Sequence, residues 1–200
     1  PAYVGRLNYE GDPGLKVGGS VYYCVDAGAN SDKSQTYKNI GKIPVRIYTA
    51  DFQYKNKFVT ARGNMIYGNL GNSEKLTEVN NRLSNLSPYS KTGPIARNAV
   101  SYGAELGINL RSLLGGDKRV PVIYPFARYE YYNSQEKGEG KLTMDKRCQV
   151  GMWTAGANWY ALPNLVVKAD YTTRRIGGGQ YNSENEFSLA IAYIGWFLSK

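Results

Sequence analysis

Apolar and polar residues alternate with a period of two along most of this 200-residue chain. The alternation is clearest in residues 102–110, where every even-numbered position is apolar and every odd-numbered position is Gly, Glu or Asn. On a helix the same apolar residues would be scattered around the whole circumference. The pattern therefore predicts a β-strand with one apolar face.

The same alternation predicts nine strands, most of them about 10 to 13 residues long. The usual strand of a soluble protein has about five or six residues, whereas a tilted strand needs about 9 to 11 to cross a bilayer. Strands of this length favour a membrane-spanning sheet over a soluble β-sandwich. The predicted strands are 2–10, 15–25, 43–54, 58–70, 99–111, 120–133, 147–161, 165–174 and 185–197.

The predicted connections alternate in length. The short ones are 11–14, 55–57, 112–119 and 162–164, and the long ones are 26–42, 71–98, 134–146 and 175–184. Bacterial outer-membrane barrels join their strands by short periplasmic turns and longer extracellular loops. We therefore predict an all-β fold, a transmembrane antiparallel up-and-down β-barrel in the outer membrane of a Gram-negative bacterium.

This orientation has a consequence for the strand number. With the long loops outside, the first and the last of the nine strands both run toward the periplasm. A bacterial barrel starts with an upward strand and has an even number of strands. The residues from Pro1 onward do not have the charged and apolar regions of the signal peptide that an exported outer-membrane protein needs. We therefore expect residues 1–200 to be the C-terminal portion of one barrel domain, with an odd number of strands upstream.

Composition and charge narrow the function classes. The chain has 23 Gly and 18 Tyr but only 5 Phe and 3 Met, as expected where only every second strand residue faces lipid. No run of 18 apolar residues predicts a transmembrane helix. The net charge of +9 is spread along the chain without a nucleic-acid-binding motif. We expect no nucleic-acid partner; an anion-biased lumen and a solvated basic surface both remain open.

The alternation also assigns the charged residues to a lumen. A Lys or Arg on the lipid face would cost about 2–4 kcal/mol at mid-membrane, so the charges are expected to face inward. With Glu10, Arg111 and Arg174 they amount to seven positive and five negative charges, a weak anion bias. The predicted lumen-lining residues are Arg6, Lys16, Asp51, Arg62, Glu105, Arg128, Glu130, Lys168 and Asp170.

Four of these cations are the strongest candidates for lining the conduit, namely Arg6, Arg62, Arg128 and Lys168. The spacing of Arg128 and Glu130, and of Lys168 and Asp170, also suggests a cross-strand ladder of charges. Such a ladder could brace the barrel wall without selecting a solute. Both interpretations remain open at this point.

The opposite phase is expected to face lipid, and aromatic residues near strand ends are expected to form girdles at the two membrane interfaces. Cross-strand packing is the alternative role of these aromatic residues. Residues in the lipid phase are Leu7, Val21, Ala50, Ala61, Leu106, Tyr129, Ala157, Val167 and Ile191. The girdle candidates are Tyr9, Tyr22, Tyr23, Tyr54, Tyr67, Tyr131, Trp153, Trp159 and Tyr171.

The longest predicted loop, 71–98, is the candidate constriction. Its apolar residues Leu76, Val79, Leu83 and Leu86 have near-helical spacing. They predict a short helix that packs either inside the lumen or, as part of an external loop, against a neighbouring subunit or surface partner.

Two cysteines, Cys24 and Cys148, are predicted near the extracellular strand ends, in the inward phase. Their strands lie five apart, too far for a disulfide, whose Cα atoms are within about 7 Å. We predict free thiols or a partner cysteine upstream.

Enzymatic function is not predicted. The chain has no His, which removes Ser-His nucleophilic sites and His-based metal sites. The three consecutive glycines at 177–179 lack the Lys-Ser/Thr that follows a phosphate-binding loop. We predict no catalytic residue, no cofactor and no metal.

Several strands resemble a known family. Residues 5–7 with 15–23, residues 124–130, residues 156–160 with 163–164, and residues 167–171 are similar to strands of the phosphate-selective porin O/P family, including its Bacteroidota members. The resemblance implies a 16- or 18-stranded barrel, often trimeric, that passes small solutes. The chain departs from the family in lacking a constriction dense in Arg and Lys, and in the three residues that follow Phe197. Phosphate specificity is therefore not expected.

The expected function is a porin: passive diffusion of small hydrophilic solutes with a mild preference for anions. The expected contacts are outer-membrane lipid, lipopolysaccharide, and either a homotrimer or other outer-membrane proteins. The alternative is a structural or interaction barrel, a subunit of a larger outer-membrane assembly docked through its long loops.

Overall fold

A computed structural model describes residues 1–28, 40–81 and 93–193. These residues form nine strands, two α-helices and one 3₁₀ turn, Lys146–Cys148. The strands are β1 (Ala2–Gly11), β2 (Leu15–Cys24), β3 (Val45–Lys55), β4 (Val59–Leu70), β5 (Asn98–Ile108), β6 (Val122–Lys137), β7 (Gln149–Leu162), β8 (Leu165–Ile176) and β9 (Ser183–Tyr193). The helices are α1 (Ser73–Asn81) and α2 (Leu110–Leu113).

All nine strands belong to one sheet. They follow each other in sequence order, and every neighbouring pair is antiparallel, with β1 and β9 at the two edges. The predicted all-β, up-and-down arrangement of nine strands is thus confirmed. Within the described ranges, no helix has the length and apolar character needed to cross a membrane.

The strand ends differ from the prediction in specific places. The alternation of 102–110 continues through Leu110, but β5 ends at Ile108 because Asn109 caps α2: its side chain accepts a hydrogen bond from the Ser112 amide at 3.3 Å. Strand β6 continues four residues beyond its predicted end, to Lys137. Strand β9 begins earlier, at Ser183, and its predicted part after Tyr193 lies outside the described residues.

The connections alternate less strictly than predicted. Three turns are tight, those between β1 and β2, between β3 and β4, and between β7 and β8. In the β3–β4 turn the Asn56 side chain accepts hydrogen bonds from the amides of Phe58 and Val59 at 2.8 and 2.7 Å. The β5–β6 connection, however, contains α2 and is no shorter than the β6–β7 loop, which the extension of β6 shortens. We call the side with segments 25–44, 71–97, 138–148 and 177–182 the loop end, and the other side the turn end.

The sheet is a single layer without a conventional core. The buried apolar residues among the described positions are only Ile40, Val150 and Val166. The strands are therefore held by backbone ladder hydrogen bonds and by cross-strand side-chain pairs. Each of the two faces of the sheet is consequently free to meet a different surrounding.

Candidate functional site

The strand register collects the predicted lumen-lining residues on one face. It pairs Glu10 with Lys16, Arg62 with Glu105, and Glu105 with Arg128. The remaining members follow by alternation along their strands, so that all nine share this surface, which we call the charged face. It comprises Arg6, Lys16, Asp51, Arg62, Glu105, Arg128, Glu130, Lys168 and Asp170.

The opposite surface, the apolar face, holds all the residues of the predicted lipid phase. Its large side chains are uncovered: Leu7 is 84% exposed, Ile191 72% and Trp153 61%. The girdle assignment of Tyr22 was wrong, because the register pairs it with Val4 on the charged face. Adjacent residues of a strand point to opposite faces, so Tyr22 and Tyr23 could not both lie on the apolar face.

A ladder of charges crosses β4, β5 and β6 at the middle of the charged face. The Glu105 carboxylate lies 2.9 Å from Arg62 Nη2 and 3.6 Å from Arg128 Nε. Arg128 Nε is also 3.6 Å from the Glu130 carboxylate, but it is buried and makes no hydrogen bond in the described structure. Glu105, whose side chain is 20% exposed, is the centre of this ladder.

A second ion pair spans three strands. Arg6 Nη2 of β1 lies 2.7 Å from Asp51 Oδ1 of β3, directly above Gly18 of the intervening β2. A Cβ atom at Gly18 would collide with both the Arg6 guanidinium and the Asp51 carboxylate. The missing side chain of Gly18 is therefore what allows the two charges to meet.

Lys168 and Asp170 do not form the predicted ladder. Neither makes an ion pair with another described residue. Asp170 lies opposite Gly156, where an added Cβ would crowd it, and Lys168 lies opposite Asn158. Of the four candidate conduit cations, Lys168 is the one without a carboxylate partner in this part of the chain.

A groove of about 720 Å³ runs along the charged face at the turn end. Four cations line it against a single carboxylate, Glu105. Arg111 projects from α2, where its Nε donates a hydrogen bond to the Val120 carbonyl at 2.5 Å. Lys55, predicted to lie in a turn, is the last residue of β3. The four cations are Lys55, Arg62, Arg111 and Lys168.

The register adds acidic residues to the charged face that the sequence analysis did not count. Glu184 and Glu186 of β9 lie opposite Arg174 and Thr172, and Glu184 forms an ion pair with Arg174. With Lys55 also counted, the positive and negative charges of the whole face nearly balance. Positive charge is concentrated in the groove at the turn end, and these added carboxylates lie toward the loop end.

The long loop after β4 contains the predicted helix, α1. Its buried residues are Ser73 and Thr77, not the apolar pair Leu76 and Val79 on which the prediction was based. The Glu139 carboxylate accepts hydrogen bonds at 3.3 Å from both the Ser73 hydroxyl and the helix N-terminal backbone.

The contacts of α1 thus tie it to the β6–β7 loop at the loop end. Leu83 and Leu86 lie outside the described residues.

The two cysteines are not bonded to each other, as expected from the distance between their strands, and both are free thiols in the described structure. Cys24 ends β2, but Cys148 belongs to the 3₁₀ turn before β7 and not to a strand. Asp145 caps that turn by accepting hydrogen bonds from Arg147, at 2.9 Å from its amide and 2.6 Å from its guanidinium. These hydrogen bonds hold the pKa of the exposed Asp145 carboxyl below its ordinary value.

The comparisons with known proteins do not identify the chain. No family model matches it, and neither a curated protein nor a solved structure is similar enough to count as a match. The resemblance to the phosphate-selective porin O/P family therefore stays a prediction. No group of His, Cys, Asp and Glu suited to holding a metal ion occurs among the described residues.

Proposed function

We propose that this sheet is part of the wall of an outer-membrane β-barrel whose charged face lines a water-filled passage for small hydrophilic solutes. The observation that carries the proposal is the separation of the two faces. One surface collects nearly all the charges of the strands, and the other exposes Leu, Ile, Tyr and Trp side chains. A single-layer sheet with these two faces is stable where one side meets lipid and the other meets water.

The strand lengths also support a sheet that lies in a bilayer. The nine strands have 10 to 16 residues each, enough for a tilted strand to cross a bilayer. A bilayer also requires that no sheet edge be left unpaired, because lipid offers no hydrogen-bond partner to backbone groups. The edges at β1 and β9 are therefore paired with further strands in the proposed barrel.

A mild preference for anions is the proposed selectivity, and the groove at the turn end is its source. There Lys55, Arg111 and Lys168 have no carboxylate partner among the described residues, whereas Arg62 is paired with Glu105. Unpaired cations on the wall of a narrow aqueous passage raise the local concentration of anions.

The test is conductance of the full-length protein in planar bilayers. We expect stable open channels and, across a tenfold KCl gradient, a reversal potential displaced toward the chloride potential. Lys168→Gln should reduce that displacement, and Arg175→Gln, on the apolar face of the same strand, should leave it unchanged. A protein that inserts but conducts no ions would contradict the proposal.

A structural or interaction barrel is the second candidate. The observation in its favour is that Arg6, Arg62 and Arg128 are all held in ion pairs that connect different strands. Charges used in this way brace the wall. This alternative predicts a silent barrel that copurifies in fixed stoichiometry with another outer-membrane protein, and a channel that conducts when purified alone would exclude it.

A further inference from the structure

The few charges on the apolar face have one sign and one location. Outside the register shift near the end of β6, the described strands carry no Asp or Glu on this face, and its cations are Arg46, Lys137 and Arg175. All three lie at the loop end, above the aromatic and aliphatic band that covers the rest of the face. This distribution of cations suits an apolar medium that is bounded at one edge by an anionic layer.

The Arg175 side chain is available for a ligand. It is exposed and forms neither an ion pair nor a hydrogen bond within the described chain. Its neighbour Arg174, on the charged face, is paired with Glu184. Arg46, by contrast, stacks 5.5 Å from the ring centroid of Tyr23 and donates a hydrogen bond to Asn69. No carboxylate in the described structure neutralises either guanidinium on the apolar face.

A groove of about 270 Å³ lies directly beside Arg175. Gly151 leaves it open, because an added Cβ there would contact only the hydroxyl of Tyr129, at 3.6 Å. Tyr131 and Trp153 form apolar parts of its lining. The groove thus offers a cation at the loop end and aromatic surface below it, the two features that a charged headgroup and an acyl chain require.

We propose that Arg175 and this groove bind a lipid that carries a phosphate monoester, in the leaflet at the loop end. The phosphate meets the Arg175 guanidinium, whose planar set of N–H donors matches phosphate oxygens. An acyl chain lies along Trp153 in the groove. This inference rests on the proposed function, because it requires the apolar face to lie in a bilayer.

Quenching of Trp153 fluorescence by brominated lipid tests the proposal. The full-length protein is placed in phosphatidylcholine nanodiscs containing either dibromo-phosphatidic acid or dibromo-phosphatidylcholine, and the signal of Trp153→Phe is subtracted. We expect phosphatidic acid to quench Trp153 at a several-fold lower mole fraction than phosphatidylcholine. Arg175→Gln should weaken this preference about fivefold, the effect of one cation at an anionic surface. Arg174→Gln, the matched control on the opposite face, should not.

The outcomes separate this inference from the proposed function. Equal quenching by both lipids would overturn the lipid site and leave the membrane-spanning sheet supported. Absence of quenching by either lipid would contradict both. If the quenching decreased as the number of protein copies per nanodisc increased, a second copy of this chain would be the occupant, which would also overturn the lipid site.

Discussion

Glu105 is the residue whose replacement should affect the charged face most. It is the carboxylate shared by Arg62 and Arg128, and it is the single acid of the groove at the turn end. The substitution Glu105→Gln keeps the size of the side chain and removes its charge. It therefore tests the ladder and the groove together.

The expected loss of stability follows from the exposure of the three side chains. Arg62 is 62% exposed, so its contact with Glu105 is worth about 0.5 kcal/mol or less. Arg128 is 35% exposed and its buried Nε has no hydrogen bond, so the loss of the nearby carboxylate costs more, about 1 kcal/mol. Removal of the shared charge should thus lower the free energy of unfolding by about 1–2 kcal/mol.

The assay is denaturant-induced unfolding of the full-length protein refolded in phosphatidylcholine vesicles. Glu130→Gln is the matched control: it removes only a 3.6 Å contact to Arg128 from a side chain that is 42% exposed. It should cost about 0.5 kcal/mol or less. In bilayers, Glu105→Gln should also increase the anion preference, because the cations of the groove lose their one acid. Equal stability losses for the two variants would refute the central role of Glu105.

Three further outcomes are expected. Gly18→Ala should destabilise the sheet by about 1 kcal/mol by separating the ion pair above it, whereas Gly5→Ala, whose Cβ would meet open space, should be tolerated in the same unfolding assay. The Asp145 carboxyl should titrate below its ordinary pKa of 3.8 in carbon-detected NMR. Its contribution to stability is therefore complete above the ordinary pKa and is lost as the pH falls through the lowered value, and Arg147→Gln should return the pKa toward 3.8. Glu139→Ala should accelerate amide hydrogen exchange at the N-terminus of α1 about fivefold, through loss of a capping acceptor worth about 1 kcal/mol; unchanged exchange would show that the cap does not hold the loop.

The two faces could be predicted from the sequence because they depend only on a period of two. Any strand that alternates cleanly assigns its own charges to one side, and this is why all nine predicted residues share a face. The alternation of apolar and polar residues is less informative at strand ends. Lys55 was placed in a turn, and Leu110 continued the alternation although Asn109 had already begun a helix. Asn is itself a preferred N-cap residue, and Asn109 was therefore the available signal for that cap.

The contacts between strands could not be predicted, because they depend on register. No periodicity places Arg6 beside Asp51 across an intervening strand, and nothing in the spacing of Lys168 and Asp170 shows that they remain unpaired. The packing of α1 against the β6–β7 loop could not be predicted for a similar reason. Its apolar spacing suggested burial of Leu76, whereas the helix is held by hydrogen bonds from its polar first turn to another loop.

The absence of a side chain at Gly18 also affects the register in which the strands pair. A slip of one residue would exchange the two faces, and the apolar pattern strongly opposes it. A slip of two residues keeps every side chain on its proper face, so hydrophobicity does not oppose it. Sliding β2 by two residues would bring Lys16 or Ser20 beneath the guanidinium and carboxylate that now meet above Gly18. The absence of one side chain thus distinguishes the native alignment from the nearest alignment that hydrophobicity would accept.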